Sequence, residues 1–324
     1  MTLRVRESAG MKLFVQIPCL NEAETLPAVL KAIPEMIDGI DEVEVLVIDD
    51  GSTDRTVEVA LACGVTHVVR HTRRAGLARS FRDGIDYALA HGADVVVNTD
   101  GDDQYPQERI GDLVAPIVAG TADIVVADRQ TAKIEHFSPF RKLMQHVGTA
   151  VVNGAADTNV PDAASGFRAY SRESLLRLNI VTDFSYAMET IIQAGHKRLR
   201  IASVPVETKP PTRPSRLFRN VFEHMGRSGS AIVRSYIMFK PYVVFVTLGA
   251  VFGVLALVPM VRFLVLWIAR DGSAGNVQSL IFGAIMAVAA LLSLALGVLS
   301  DLMRTNRTLL EDQLERIKDI QYRR

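Results

Sequence analysis

The chain is poor in cysteine, with only Cys19 and Cys63 among its 324 residues. Two residues so far apart make neither a metal-binding spacing nor a disulfide framework, so they read as small hydrophobes in a reducing compartment. No charge of one sign prevails, since 36 basic residues face 36 acidic ones. That removes the global attraction expected of a nucleic-acid binder. There is no Gly-Lys-Ser/Thr phosphate loop and no Gly-x-Gly-x-x-Gly turn, which excludes P-loop ATPases and dinucleotide-binding dehydrogenases. The opening "MTLRVRESAG" lacks the apolar run of a signal peptide, so the segment after it is expected to stay in the cytoplasm.

What is present is an alternation. Short β-branched runs, "KLFVQIP", "VEVLVID", "HVVRH", "DVVVNTD", "DIVVAD" and "LRIASVPV", are separated by amphipathic stretches at 22–36, 54–63, 77–91, 106–119 and 139–155. Such alternation predicts βαβ units and an α/β domain with a mainly parallel sheet covered on both faces. Ligands of these sheets bind at the carboxyl ends of strands. "IPCLNE", "IDDGSTD" and "NTDGDDQ" all fall at such ends, so one cleft can collect them.

After "KPPTRPSR" the character changes. Lys197 to Lys240 is basic, opposed only by Glu207 and Glu223, and leads into uncharged apolar sequence at Pro241–Val261 and Gly272–Ser300. A basic run before apolar segments of this length predicts the edge of an anionic membrane and two spans. The expected organisation is a cytoplasmic domain over 1–212, a basic amphipathic juxtamembrane segment over 213–240, and a transmembrane pair within 241–300. The spans should run from about 241 to 263 and about 276 to 300, with a cytoplasmic helical tail over 301–324. Lys and Arg on the outer flanks exceed those in the loop, which places both ends in the cytoplasm. Met303, Leu310, Leu314 and Ile317 recur at helical spacing in the tail. They fit equally a coiled-coil seam, which would make the chain a homo-oligomer, or an amphipathic helix on the membrane or the catalytic domain.

The acids at 100 to 103 pose the chemical question. Asp100 and Asp102 stand at alternate positions just beyond an apolar strand, with Gln104 following. Carboxylates so placed can face one way and offer oxygens to hard Mg²⁺ or Mn²⁺, leaving coordination places for substrate phosphates. Read alone, the same residues fit a solvated turn with capping acids. Asp49-Asp50-Gly51-Ser52 and Asn21-Glu22 each fit a capped helix start as well. Their recurrence at three strand ends is harder to assign to capping.

Taken together these motifs resemble the inverting GT-A glycosyltransferases of family 2, and within them the polyprenyl-phosphate glycosyltransferases. The resemblance rests on Pro18-x-x-Asn21-Glu22, Asp49-Asp50-Gly51-Ser52, Asp100-x-Asp102-x-Gln104-x-Pro106, Ser165-Gly166-Phe167-Arg168 and Arg213-x-Ser215-Arg216, with the paired C-terminal apolar segments. It implies a GT-A domain followed by a two-helix transmembrane hairpin. Pro18, Glu22 and Asp50 would contact the nucleoside. Asp100, Asp102 and Gln104 would form the metal-binding triplet on the diphosphate. Arg213 and Arg216 would close on that diphosphate, with arginine where the family usually has lysine second. Arg129 and Arg141 match arginines that hold an acceptor phosphate. Asp162 reads either as facing the sugar or metal or as pairing with Arg168, whose favoured reading is structural.

The implied partners are a UDP- or GDP-sugar, a polyprenyl phosphate, membrane lipids and a divalent cation, Mg²⁺ or Mn²⁺. An ionised phosphate acceptor needs no strong general base, because its second pKa lies near about 6. Two other readings compete. One is a membrane-anchored transferase acting on a glycan or glycolipid hydroxyl, with Asp183 or Glu189 as the base. A processive synthase is disfavoured, because Gln-x-x-Arg-Trp is absent and the single tryptophan, Trp267, lies beside the apolar segments. The other is a non-catalytic membrane scaffold.

Overall fold

The computed structural model describes residues 10–131, 139–180, 186–210, 241–269 and 277–322. Its chain forms two compact units, Met1–Ile232 with Gln313–Arg324, and Val233–Asp312.

The first unit is built on seven strands, β1 (Lys12–Cys19), β2 (Glu42–Asp49), β3 (His67–Arg70), β4 (Val95–Asn98), β5 (Ile124–Asp128), β6 (Arg168–Ser171) and β7 (Ile201–Pro205). They form one sheet in the order β3-β2-β1-β4-β6-β5-β7. β1, β2, β3 and β4 run parallel, as do β5 and β7. β6 alone is antiparallel to both of its neighbours. The mainly parallel sheet of the sequence reading is present, with one reversed strand that the reading did not contain.

Strand parity divides the core. Leu13, Val15 and Ile17 of β1 pack with Leu26 and Val29 of α1 (Leu26–Ala32) and with Ile110, Leu113 and Val114 of α4 (Ile110–Val118). Alternate residues face the other side, because successive strand side chains point oppositely. There Phe81 of α3 (Leu77–Ala90) stacks on Tyr186 of α7 (Tyr186–His196), with ring centroids 4.1 Å apart. Between α1 and α3 lies α2 (Thr56–Ala62); α5 (Pro139–Ala156) precedes β6, and α6 (Arg172–Arg177) follows it. α6 begins at Ser171, whose hydroxyl accepts from Ser174 N at 3.2 Å, satisfying one of the orphan amides of a helix start.

The second unit contains α8 (Pro241–Ala269) and the greater part of α9 (Val277–Gln321). Both are long and apolar enough to cross a membrane, with mean hydropathy 2.5, and little of either apolar stretch is buried. A soluble core helix would be covered, so these faces call for an apolar medium. Small residues let the pair approach: a Cβ on Gly283 would lie 2.5 Å from Met260 Cγ and 3.1 Å from the Ala256 carbonyl, a packing mode typical of membrane helices.

α9 continues unbroken through the expected tail. Its last residues belong to the first unit, where Lys318 Nζ donates to the Leu178 carbonyl at 2.8 Å and Glu315 lies 3.6 Å from Arg177 Nε. Leu310, Leu314 and Ile317 remain exposed on that helix.

Candidate active site

Because β2, β1 and β4 are adjacent and parallel, their carboxyl ends share one edge of the sheet. Hydrogen bonds join the three turns that leave it. Asn21, at φ 58°, donates its backbone N–H to Ser52 Oγ at 2.9 Å, while its side-chain oxygen accepts from Thr53 N at 2.8 Å. Glu22 N donates to Thr56 Oγ1 at 2.8 Å, and Thr25 Oγ1 donates to the Gly101 carbonyl at 2.7 Å. Pro18 and Glu22 are half-buried on this edge.

Asp50 is buried, and donors of the chain surround its carboxylate. Oδ1 accepts from Ala75 N at 2.7 Å and Gly76 N at 3.1 Å, and His71 Nδ1 lies 2.9 Å away. Oδ2 accepts from Gly76 N at 3.0 Å. The other nitrogen of His71 meets Asp83 Oδ2 at 3.1 Å. Asp50 therefore organises the loop from 71 to 76. Gly51 is required here, because its φ is +78° and a Cβ would come within 2.8 Å of the backbone of Arg73 and Arg74.

Asp100 and Asp102 are half-buried. Burial, then the charge of Asp102, pushes Asp100 up to about 7, with Glu22 adding to the rise and Arg129 opposing it. Asp102 accepts from Gln104 N at 3.2 Å, and the Gln104 side-chain nitrogen bonds to its other oxygen. The sequence reading made Gln104 a third metal-binding residue; here its side-chain nitrogen bonds to Asp102, beside the oxygens a cation would use. Asp103 is held by Lys209 Nζ at 2.8 Å. Among the described residues no three His, Cys, Asp or Glu side chains form a ready-made cage. Two close carboxylates, one of them short of positive charge, fit a hard cation that brings water and substrate oxygens with it.

Gly166 lies directly against Asp100: a Cβ there would be 3.4 Å from Asp100 Oδ2 and 3.2 Å from Tyr186 OH. A buried polar chain fixes this glycine. Gln16 Nε2 donates to Asn98 Oδ1 at 2.9 Å, and Asn98 Nδ2 donates to Tyr186 OH at 2.9 Å and to the Gly166 carbonyl at 3.0 Å. From the other side Gly166 N donates to Tyr105 OH at 3.1 Å. None of Gln16, Asn98, Tyr105, Tyr186 or His71 was singled out from the sequence. One signal was available, a glutamine inside the apolar run "KLFVQIP".

The expected structural partner of Arg168 is corrected. Asp162 faces Arg129, with Nε at 2.6 Å and Nη2 at 3.0 Å from its two oxygens. Arg168 is fully buried, and its guanidinium donates to the carbonyls of Ser165, Ala187 and Ala163 and to Thr190 Oγ1. Burial works against the charge of Arg129, yet Tyr105, Asp162 and Asp100 outweigh it and raise its pKa. Arg141 lies on α5, its side chain outside the described residues, as are Arg213, Arg216 and Asp183 entirely. Cys19 is buried among Glu22, Asp49 and Asp100; burial first, then these acids, lifts its thiol well above the usual value, which disfavours the thiolate.

An acid pair at the carboxyl edge of such a sheet, with the half-buried Arg129 near it, is the arrangement of a GT-A glycosyltransferase site. The chain belongs to the family described as Glycosyl transferase family 2, whose profile matches residues 14–178, and it is a glycosyltransferase. It is 29% identical over 206 residues to the undecaprenyl-phosphate mannosyltransferase of Micrococcus luteus, covering 60% of this chain and 83% of that one. It is also 29% identical over 203 residues to the polyprenol monophosphomannose synthase of Mycolicibacterium smegmatis, covering 59% and 75%. Among solved structures, glucosyl-3-phosphoglycerate synthase from Mycobacterium tuberculosis with Mn²⁺, UDP and glucosyl-3-phosphoglycerate superposes with a TM-score of 0.52. It is 26% identical, covering 70% of this chain and 79% of that chain.

Proposed function

We propose that this glycosyltransferase moves a sugar from a nucleotide-diphosphate sugar to a polyprenyl monophosphate, on the cytoplasmic side of a membrane. The observation that carries the reading is Arg129. It stands near enough to Asp100 to offset part of its charge, while only two of its five N–H donors face Asp162. Among the described residues no other acceptor engages the remaining donors, which suit an incoming phosphate oxygen. The M. luteus and M. smegmatis relatives, named for undecaprenyl-phosphate and polyprenol phosphate chemistry, support the same acceptor and make mannose the first sugar to test.

In this reading Asp100 and Asp102 hold Mg²⁺ or Mn²⁺, Gln104 orients Asp102, and the cation when bound supplies charge neutralisation to the departing diphosphate. Pro18, Glu22 and Asp50 seat the nucleoside, and Arg213 and Arg216 close on the diphosphate. Arg129, held by Asp162, and Arg141 align the acceptor. An oxygen of the acceptor phosphate attacks the anomeric carbon from the face opposite the leaving group. The bond to the diphosphate breaks, the nucleoside diphosphate keeps the electron pair, and the configuration inverts. An ionised phosphate has no proton to lose, so Asp162 can stay ion-paired throughout.

A second reading is favoured by the M. tuberculosis neighbour, whose ligand is glucosyl-3-phosphoglycerate: a small phosphorylated acid could be the acceptor. The test offers the reconstituted chain a panel of UDP- and GDP-sugars with a polyprenyl phosphate, the neutral polyprenol, or 3-phosphoglycerate. Transfer to the polyprenyl phosphate alone supports the proposal. Equal transfer to the neutral alcohol, or transfer to phosphoglycerate instead, refutes it.

A further inference from the structure

α5 has two unlike faces. Val152, Ala155 and Ala156 are buried, and Asn153 fixes the following loop by donating to the Val160 carbonyl at 2.9 Å and accepting from Val160 N at 3.0 Å. The opposite face carries Leu143, Val147, Ala150 and Gly154 at helical spacing, with Met144 beside them, and all five are exposed. Leu143 is 55% exposed, Val147 41% and Met144 37%. A monomeric soluble domain seldom presents leucine, methionine and valine together on one helix face.

The charges on α5 are of one kind. Its sequence, PFRKLMQHVGTAVVNGAA, contains no aspartate or glutamate, and its ionisable residues are Arg141, Lys142 and His146. An apolar face with only basic charge on the helix is the pattern of elements that lie in the interface of an anionic membrane. The chain also carries two helices long and apolar enough to cross a membrane, and a domain tethered by them stays within reach of lipid.

We propose that the Leu143–Met144–Val147 face of α5 docks on the surface of an anionic bilayer, its apolar side chains entering among the headgroups. This rests on the membrane-anchored reading and is independent of which acceptor is used. It would hold the helix bearing Arg141 at the depth where a phosphate attached to a buried hydrocarbon chain must lie.

The test uses the full chain with Cys63→Ser, since Cys63 is exposed and Cys19 buried. An environment-sensitive fluorophore is attached at Leu143→Cys, at Val147→Cys, and at Met36→Cys, a control position that is 90% exposed. Each protein is reconstituted without donor or acceptor into phosphatidylcholine vesicles, with or without phosphatidylglycerol, and a lipid-borne quencher is added. Positions 143 and 147 should shift to the blue and be quenched, more strongly with phosphatidylglycerol, while position 36 keeps water-like emission. Water-like, unquenched emission at 143 and 147 overturns the proposal. So does quenching indifferent to phosphatidylglycerol, or a blue shift without lipid quenching that grows with protein density and so assigns the face to a second copy of the chain. Because no substrate is present, the result stands whether or not the polyprenyl-phosphate reading holds.

Discussion

Two acid pairs leave the strands on either side of β1, and the chain treats them in opposite ways. At the end of β2, the Asp50 carboxylate is met by Ala75 N, Gly76 N and His71, and Asp49 Oδ1 accepts from Ser52 N at 3.0 Å. At the end of β4, Asp100 sits beside Asp102 and Glu22 and is pushed up to about 7. Donors of the chain surround Asp50 and meet one oxygen of Asp49, whereas Asp100 carries crowded negative charge. Acid pairs that look alike in sequence therefore sit in different electrostatic surroundings, and the donors around each decide how well it would suit a cation.

The largest expected effect breaks the β4 side. Asp102→Asn keeps the shape and removes one anionic oxygen, so transfer should fall roughly a thousandfold if a bound cation supplies several kcal/mol at the leaving group. A divalent-ion titration of initial rates checks this, and excess EDTA should abolish transfer by the unaltered chain. Near-normal rates in either case remove the metal assignment. Next comes Arg129→Ala, which should lower acceptor-side efficiency about ten- to hundredfold, the equivalent of a charge-assisted contact of about 1.5–3 kcal/mol. Donor affinity, measured separately by calorimetry, should change far less. Because Asp162 is left buried without its partner, the melting temperature should fall too, and Arg129→Lys should restore part of both.

Those variants also mark the limits of what the sequence tells. The strand ends that gather the site were legible, because β-branched runs end in or are soon followed by Asp or Asn at β1, β2 and β4. β6 was not, since its four residues, starting at the last residue of "SGFR", carry no usable period. That omission caused the wrong partner for Arg168. Asp162 and Arg168 are near in sequence, but along β6 the side chains alternate: Phe167 packs in the α1–α4 core, while Arg168 bonds to Ala187 and Thr190 of α7 on the other face. Arg129, 33 residues before Asp162, reaches it only through the fold. The chain Gln16–Asn98–Tyr186–Gly166 was hidden for the same reason, as its members come from two strands, a helix and a loop brought together by the fold.

A smaller effect sharpens the β2 side. His71→Asn should cost about 1.5 kcal/mol of stability, the worth of a hydrogen bond to a charged group, because Asp50 loses one of its donors. The apparent affinity for nucleotide should fall with it, while the divalent-ion requirement stays as in the unaltered chain. A changed metal dependence would mean that the two acid pairs are not independent.

The smallest effect is a matter of pH and concerns Asp100. Burial, and then the charge of Asp102, pushes its carboxyl up to about 7, well above an ordinary aspartate's value of about 3.9. In the cation-free chain the folded state therefore binds this proton more tightly than the unfolded state does. By linkage, the stability of the cation-free fold falls as pH rises from about 4 to about 7 and is flat on this account above that. A cation must displace the same proton, so its affinity moves the other way and rises with pH until the group is ionised. Going from pH 8 to pH 7 should weaken Mn²⁺ binding only about twofold, with about a further fivefold lost by pH 6, as expected for one competing proton. Calorimetric titration of the cation-free protein with Mn²⁺ at the three pH values, alongside its melting temperature, tests both signs at once. Asp100→Asn should abolish the pH dependence of the melting curve that belongs to this group. If Mn²⁺ affinity is unchanged between pH 8 and pH 6, Asp100 is ionised throughout, and the contrast between the two acid pairs does not lie in their charge.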